Sequence, residues 1–355
     1  MFLGGIQRVR DTGFMVVPRG RKSFLSIRWC HRDLLQLTQR LVYVTYRYII
    51  TKSRWMPTRL PFALCSLCLL LAHASSALAQ PRVVTTIPPL HSLTALVMEG
   101  AGYPQLLLKG SESPHRYSLR PSQTRLIASA EIIVRVGASF EIFMNKPLRA
   151  LAGDAVVIDL DKIPGIQHFS VRDHHEHHYH KHHGHGLARD PHIWLHTGNA
   201  AEMVKVIAGI LSGKDPENSA LYAGNAARTS IRLRSLKMEI NRMVQPVRTQ
   251  PFVTFHDAWQ YFTAEFGLKF VGALTLNPER KPGARRLAQV RETVRKTGAR
   301  CLFSEPQFPS SIARVVVRGT PAKIGVLDPV GAKLSPGSDL YFSLMRQTAL
   351  EMTTC

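Results

Sequence analysis

Acidic side chains are scarce in this chain: 24 Asp and Glu stand against 46 Lys and Arg in 355 residues, a formal net charge of +22. Such an excess raises nucleic acid or an anionic membrane as partner. No nucleic-acid-binding motif accompanies it, however, and outside the N-terminus the basic residues are scattered rather than striped. Much of the excess sits in residues 1–55, which hold eleven Lys or Arg against Asp11 and Asp33 and show no domain pattern. No helix of the HExxH type occurs, which removes the usual signature of a zinc hydrolase. Cysteine is sparse, five residues in all, and long apolar runs are missing except for one.

That run follows Met56 and Arg59 and covers residues 60–72, and Ala77-Leu78-Ala79 comes shortly after it. A basic start, an apolar middle and small residues at the end make the three-part layout of a secretory signal, with cleavage expected after Ala79. Cys65 and Cys68 lie inside the run without small residues before them, which argues against lipid attachment. Because such signals begin a chain, residues 1–55 read as a non-native upstream extension and residues 56–79 as the signal peptide. The competing reading is an uncleaved anchor, since residues 60–79 are about long enough to cross a bilayer. Cleavage would leave residues 80–355 with Cys301 and Cys355 as their two cysteines. In an exported protein an even pair favours a disulfide, and closing a loop of about 55 residues stabilises by about 4 kcal/mol.

What the chain has in abundance is histidine, concentrated in one stretch. Between Asp173 and Trp194 the sequence reads DHHEHHYHKHHGHGLARDPHIW, with His174, His175, His177, His178, His180, His182, His183 and His185 followed by His192. Neutral imidazole is a common ligand for zinc, copper and nickel, so this density of nitrogen donors points to transition-metal capture rather than a merely solvated loop.

Around that His-rich loop, 168–189, strands and helices alternate. Strands are expected at 82–86, 104–109, 131–136 and 155–160, with helices at 90–99, 122–130 and 140–151 between them. A helix starts near Thr197. Asp215-Pro216 then opens a longer one, Asp as N-cap and Pro at the first position, running to Pro246 with Leu233, Leu236, Ile240, Met243, Val244 and Val247 on one stripe. About 30 residues would span roughly 45 Å, enough for a stiff spine between two domains. Alternation then resumes, with strands at 252–255, 268–274, 300–304 and 323–327 and helices at 258–266, 283–297, 310–318 and 339–352. The expectation is an α/β protein of two similar lobes, 80–214 and 248–355, each a parallel sheet flanked by helices, joined by a linking helix at 215–247. A ligand would sit in the cleft, beyond the carboxyl ends of the strands.

Four positions at strand ends or helix starts could hold a metal there: His115 and His192 from the first lobe, His256 and Asp328 from the second. Three imidazoles with an oxygen donor or water suit tetrahedral zinc, whereas manganese would prefer more carboxylate. Asp328 could equally cap the turn after its strand. Glu305 reads as a carboxylate behind the ligands. His91, His168 and His196 read as structural or supporting, and Trp194, Trp259, Tyr261 and Phe262 as packing around the site.

Across the whole mature chain these segments resemble the ZnuA family of periplasmic zinc-binding proteins of bacterial ABC importers, within the cluster of metal receptors whose lobes are joined by a rigid helix. The resemblance is carried by VVTTIPPLHSL at 83–93, PHRYSLRPSQ at 114–123, DPHIWL at 190–195, FVTFHDAWQYF at 252–262, LNPERKPGARRL at 276–287, CLFSEPQF at 301–308 and GVLDPVG at 325–331. It implies that His115, His192 and His256 match the zinc-ligating histidines, that Asp328 matches the acidic position near the metal, and that Cys301 and Cys355 match a disulfide found in some members. Some relatives carry Glu before the first histidine, where this chain has Pro114, so water or Asp328 must be the fourth donor. The resemblance further implies a non-enzymatic, monomeric zinc receptor in the periplasm, partnered by a permease and its cytoplasmic ATPase. A manganese or iron receptor, a zinc hydrolase, an adhesin and a transporter-independent zinc buffer are the alternatives.

Overall fold

The computed structural model describes residues 80–110, 112–172, 189–275, 278 and 281–355. The N-terminal extension, the signal peptide and the eight histidines from His174 to His185 lie outside the described residues. Among those described, β-branched and aliphatic runs build two four-stranded sheets, parallel throughout. The first contains β1 (Val83–Thr85), β2 (Gln105–Leu106), β3 (Ile132–Arg135) and β4 (Val156–Asp159) in the order β2-β1-β3-β4. The second contains β5 (Phe252–His256), β6 (Phe270–Thr275), β7 (Cys301–Ser304) and β8 (Lys323–Val326) in the order β6-β5-β7-β8. In each sheet the central strands β1, β3, β5 and β7 are buried along their whole length, as strands covered on both faces must be.

The connecting helices are α1 (Pro88–Val97), α2 (Pro121–Ser129), α3 (Asn145–Leu151), α4 (Thr197–Lys214), α5 (Ser219–Val244), α6 (Gln260–Phe266), α7 (Ala284–Thr297), α8 (Ser311–Val317) and α9 (Leu340–Thr354). Two expectations need adjusting. The helix expected over 140–151 resolves into a 3-10 turn, Ile142–Met144, followed by α3. Glu141 is the cause: its carboxylate turns inward to accept from the Val136 and Gly137 amides, at 3.2 and 2.9 Å, and its own backbone leaves the helical region at φ −94°, ψ 59°. The spine likewise is not one helix from residue 216. Pro216–Asn218 and Gln245–Val247 form 3-10 turns at either end of α5, each containing a proline. Asp215 accepts from the Asn218 side chain and from the Tyr222 hydroxyl, at 2.8 and 2.7 Å.

The 26 residues of α5 reach about 39 Å. Of the expected stripe, Leu233, Leu236, Ile240 and Val244 are at most 1% exposed, and each contributes on the order of 2 kcal/mol by leaving water, whereas Met243 and Val247 are half-buried and Val247 lies beyond the helix. They belong to one apolar cluster that runs through both lobes, from Leu90, Trp194 and Met203 to Trp259, Phe303 and Met345. The C-terminal helix tightens this join. Although it follows β8 in the chain, the start of α9 reaches α1: Tyr341 N–H donates to Ser92 Oγ (3.0 Å), Ser92 Oγ to the Ser338 carbonyl (2.9 Å), and Tyr341 Oη to the Trp194 carbonyl (2.8 Å). Its other end is tied to β7 by the disulfide Cys301–Cys355, which closes a separation of 54 residues. Among the described residues no helix is long and apolar enough to cross a membrane.

Candidate metal centre

The candidate positions fall in loops after strands or just ahead of a helix, where parallel sheets leave backbone groups and loops free to make a site. His115 lies in the loop after β2, a loop held by Glu112, which accepts from Lys109 N–H (2.9 Å), Tyr117 Oη (2.7 Å) and Arg120 Nη2 (2.8 Å). His192 precedes the 3-10 turn Ile193–Leu195 that leads into α4, and His256 is the last residue of β5.

The structure brings these three histidines together, with one ring nitrogen from each lying within 4.8 Å of the others. Ring centroids stand 5.1 to 5.5 Å apart. His192 and His256 are 4% and 1% exposed. Burial, reinforced by the charges that His192 and His256 would carry, holds the His115 imidazole well below the ordinary histidine range, so it is a neutral donor at pH 7.

Two carboxylates set the orientation of the buried pair. His192 Nδ1 lies 2.7 Å from Asp190 Oδ1, and His256 Nδ1 lies 2.5 Å from Glu305 Oε1. A neutral ring that donates Nδ1–H to its carboxylate leaves Nε2 as a bare lone pair. Those two Nε2 atoms face each other at 3.2 Å. Two lone pairs at that distance repel unless a cation lies between them. Two nitrogens on one zinc, at about 2.05 Å and a tetrahedral angle, would be about 3.3 Å apart, so the donors fit zinc.

Beside the cluster is a cavity of about 10 Å³, the size of a single atom-sized occupant, walled by Phe140, Trp194, Phe308, Pro329 and Val330. Phe140 meets His115 edge-on at 4.9 Å and also packs on His192. Trp194 donates Nε1–H to the Pro329 carbonyl at 2.7 Å, joining a wall from one lobe to a wall from the other.

Asp328 is not brought to the cluster. Its Oδ1 accepts from the Val330 and Gly331 amides and from Gln307 Nε2, and its Oδ2 from the Ala332 amide at 2.6 Å. The carboxylate therefore builds the turn that carries Pro329 and Val330. Glu305 is where a supporting carboxylate was expected. Asp190, two residues before His192 in DPHIW, plays the same part for the other buried ring, and nothing in its sequence context marks it. His91 bonds the Pro104 carbonyl at 3.1 Å and His196 caps α4 by accepting from Asn199 N–H at 3.1 Å; neither they nor His168 join the cluster.

The sequence profile of the family described as "Zinc-uptake complex component A periplasmic", ZnuA, matches residues 83–355. A high-affinity zinc uptake system protein ZnuA from Brucella abortus is 38% identical over 321 residues, covering 81% of this chain and 95% of the relative. The crystal structure of a ZnuA superposes with a TM-score of 0.66 at 25% identity, over 76% of this chain and 99% of that one. A zinc-bound ZnuA deletion mutant gives 0.64 at 25% identity, over 76% and 95%.

Proposed function

The chain belongs to the ZnuA family of periplasmic zinc-uptake components, and from that premise we propose that it captures zinc at His115, His192 and His256 and hands it to an import permease. The observation that carries the ligand set is the pair of Nε2 atoms at 3.2 Å, each turned inward by a carboxylate on its far nitrogen. Water completes the tetrahedron, since Asp328 is engaged by its own turn. The protein is exported by a signal cleaved after Ala79 and acts as a monomer. It breaks no bond; its output is the closed, loaded shape that docks on a permease driven by an ATPase. The histidines from His174 to His185 bind zinc more weakly and serve as an accessory store.

A chelator-competition zinc titration tests this on three proteins: wild type, a deletion of residues 174–185, and the double variant His115→Ala, His256→Ala. The expected result is one tight zinc in the deletion and none in the double variant. Loss of tight binding with the histidine tract instead would make the protein a zinc buffer. The intact mass of the exported protein should begin at Gln80; any retained residue before it would refute the cleavage site.

A further inference from the structure

A second cavity, of about 170 Å³, opens beside the histidines and has its own chemistry. His115 and His192 line it together with Asp190, Asp257, Gln260 and Arg172, beside Val171 and Pro191. Asp190 directs Oδ1 to both the His192 amide (3.0 Å) and the His192 ring. Its Oδ2, on a residue only 3% exposed, has no protein partner. Gln260 Oε1 is also buried without a partner. Asp257, 8% exposed, faces Arg172, whose Nη1 lies 2.7 Å from Oδ1. Arg172 is further placed by Thr263 Oγ1 at 3.1 Å and by the Phe270 ring, 4.2 Å below its guanidinium.

Buried carbonyl and carboxylate oxygens are costly to leave without donors or cations. Both belong to residues that line a space large enough for several waters, where a second carboxylate, Asp257, is neutralised by a tethered arginine. Oxygen donors suit a divalent ion that still keeps part of its hydration shell, whereas the three imidazoles suit the same ion after that shell is shed. We infer that this cavity is a transit site for a hydrated divalent cation, formed by Asp190, Gln260 and Asp257, from which the ion steps onto His115 and His192. Arg172 is the resident positive charge that the arriving ion displaces from Asp257. This rests on the zinc-receptor reading and adds a route to it.

A transit site changes the barrier and leaves the loaded state alone, so its signature is kinetic. Zinc association and dissociation would be followed by stopped flow against a fluorescent zinc chelator, at low and high salt. The proteins are wild type, Asp257→Asn, Arg172→Gln and Gln260→Met, each checked for folding by a thermal melt. At low salt Asp257→Asn should associate about three- to tenfold more slowly and Arg172→Gln about as much faster, with both differences shrinking at high salt. Dissociation should move in the same direction, leaving Kd within about twofold. Gln260→Met, which removes an oxygen without changing charge, should slow both steps with little salt dependence. Association rates within twofold of wild type in all three variants, or changes confined to dissociation, would overturn the proposal. Failure of the wild type to take up tight zinc would instead overturn the receptor reading itself.

Discussion

At the scale of single residues, the centre depends on two carboxylates that never reach the cluster's interior. Asp190 and Glu305 hold the proton of each imidazole on Nδ1 and so keep Nε2 available. Removing the acceptor frees the ring to rotate or to carry its proton on the wrong nitrogen. Asp190→Ala and Glu305→Ala should therefore each weaken zinc binding about 10- to 100-fold in chelator competition, with Asp190→Asn, which keeps an oxygen, falling between Ala and wild type. Wild-type affinity in both alanine variants would show that the rings are oriented by packing alone. The sequence made His115, His192 and His256 legible because imidazoles at strand ends in two lobes imply convergence. It left Asp190 hidden because an aspartate before Pro191 looks like any turn aspartate. Asp328 could be read as a ligand or a turn cap, and only the positions of four donors around it separate the two.

At the scale of elements, Glu141 joins the carboxyl ends of the two central strands of the first sheet. Its side chain accepts from the Thr86 hydroxyl beyond β1 and from the Val136 and Gly137 amides beyond β3. Complete burial outweighs these donors and pushes the carboxyl up to about 7. The folded protein thus holds a proton there that the unfolded chain releases near 4.5. Glu141's contribution is present in full below about pH 4.5 and is lost as pH rises through about 7, a difference of roughly 3 kcal/mol. Glu141→Gln, which cannot ionise, should melt with a flatter temperature profile between pH 5 and 8 than wild type. Parallel decline in both proteins would show that Glu141 does not titrate in this range. Sequence periodicity placed Glu141 in a helix and missed this link, since an inward glutamate at a helix start has no pattern of its own. The strands were legible because runs such as VVT and IIV suit burial on both faces. The ends of α5 were less so, since the prolines beside it lie in 3-10 turns.

At the scale of the whole molecule, the two-lobed reading describes the sheets well but understates how far they are merged. One apolar cluster, the α5 spine and α9 are common to both halves. What periodicity could not show is that the last helix returns to the first lobe, because the apolar face of α9 gives no sign of which partner it meets. That return has a temporal side. The Ser92 hydroxyl and the Trp194 carbonyl, both in the first lobe, are bonded by Ser338 and Tyr341 near the end of the chain. A chain threaded into another compartment from its N-terminus delivers those residues almost last. For a chain exported in that way, the first half would stay incompletely packed until the final turns emerge, and a chain caught midway would lack His256 and so a finished site with which to hold an ion.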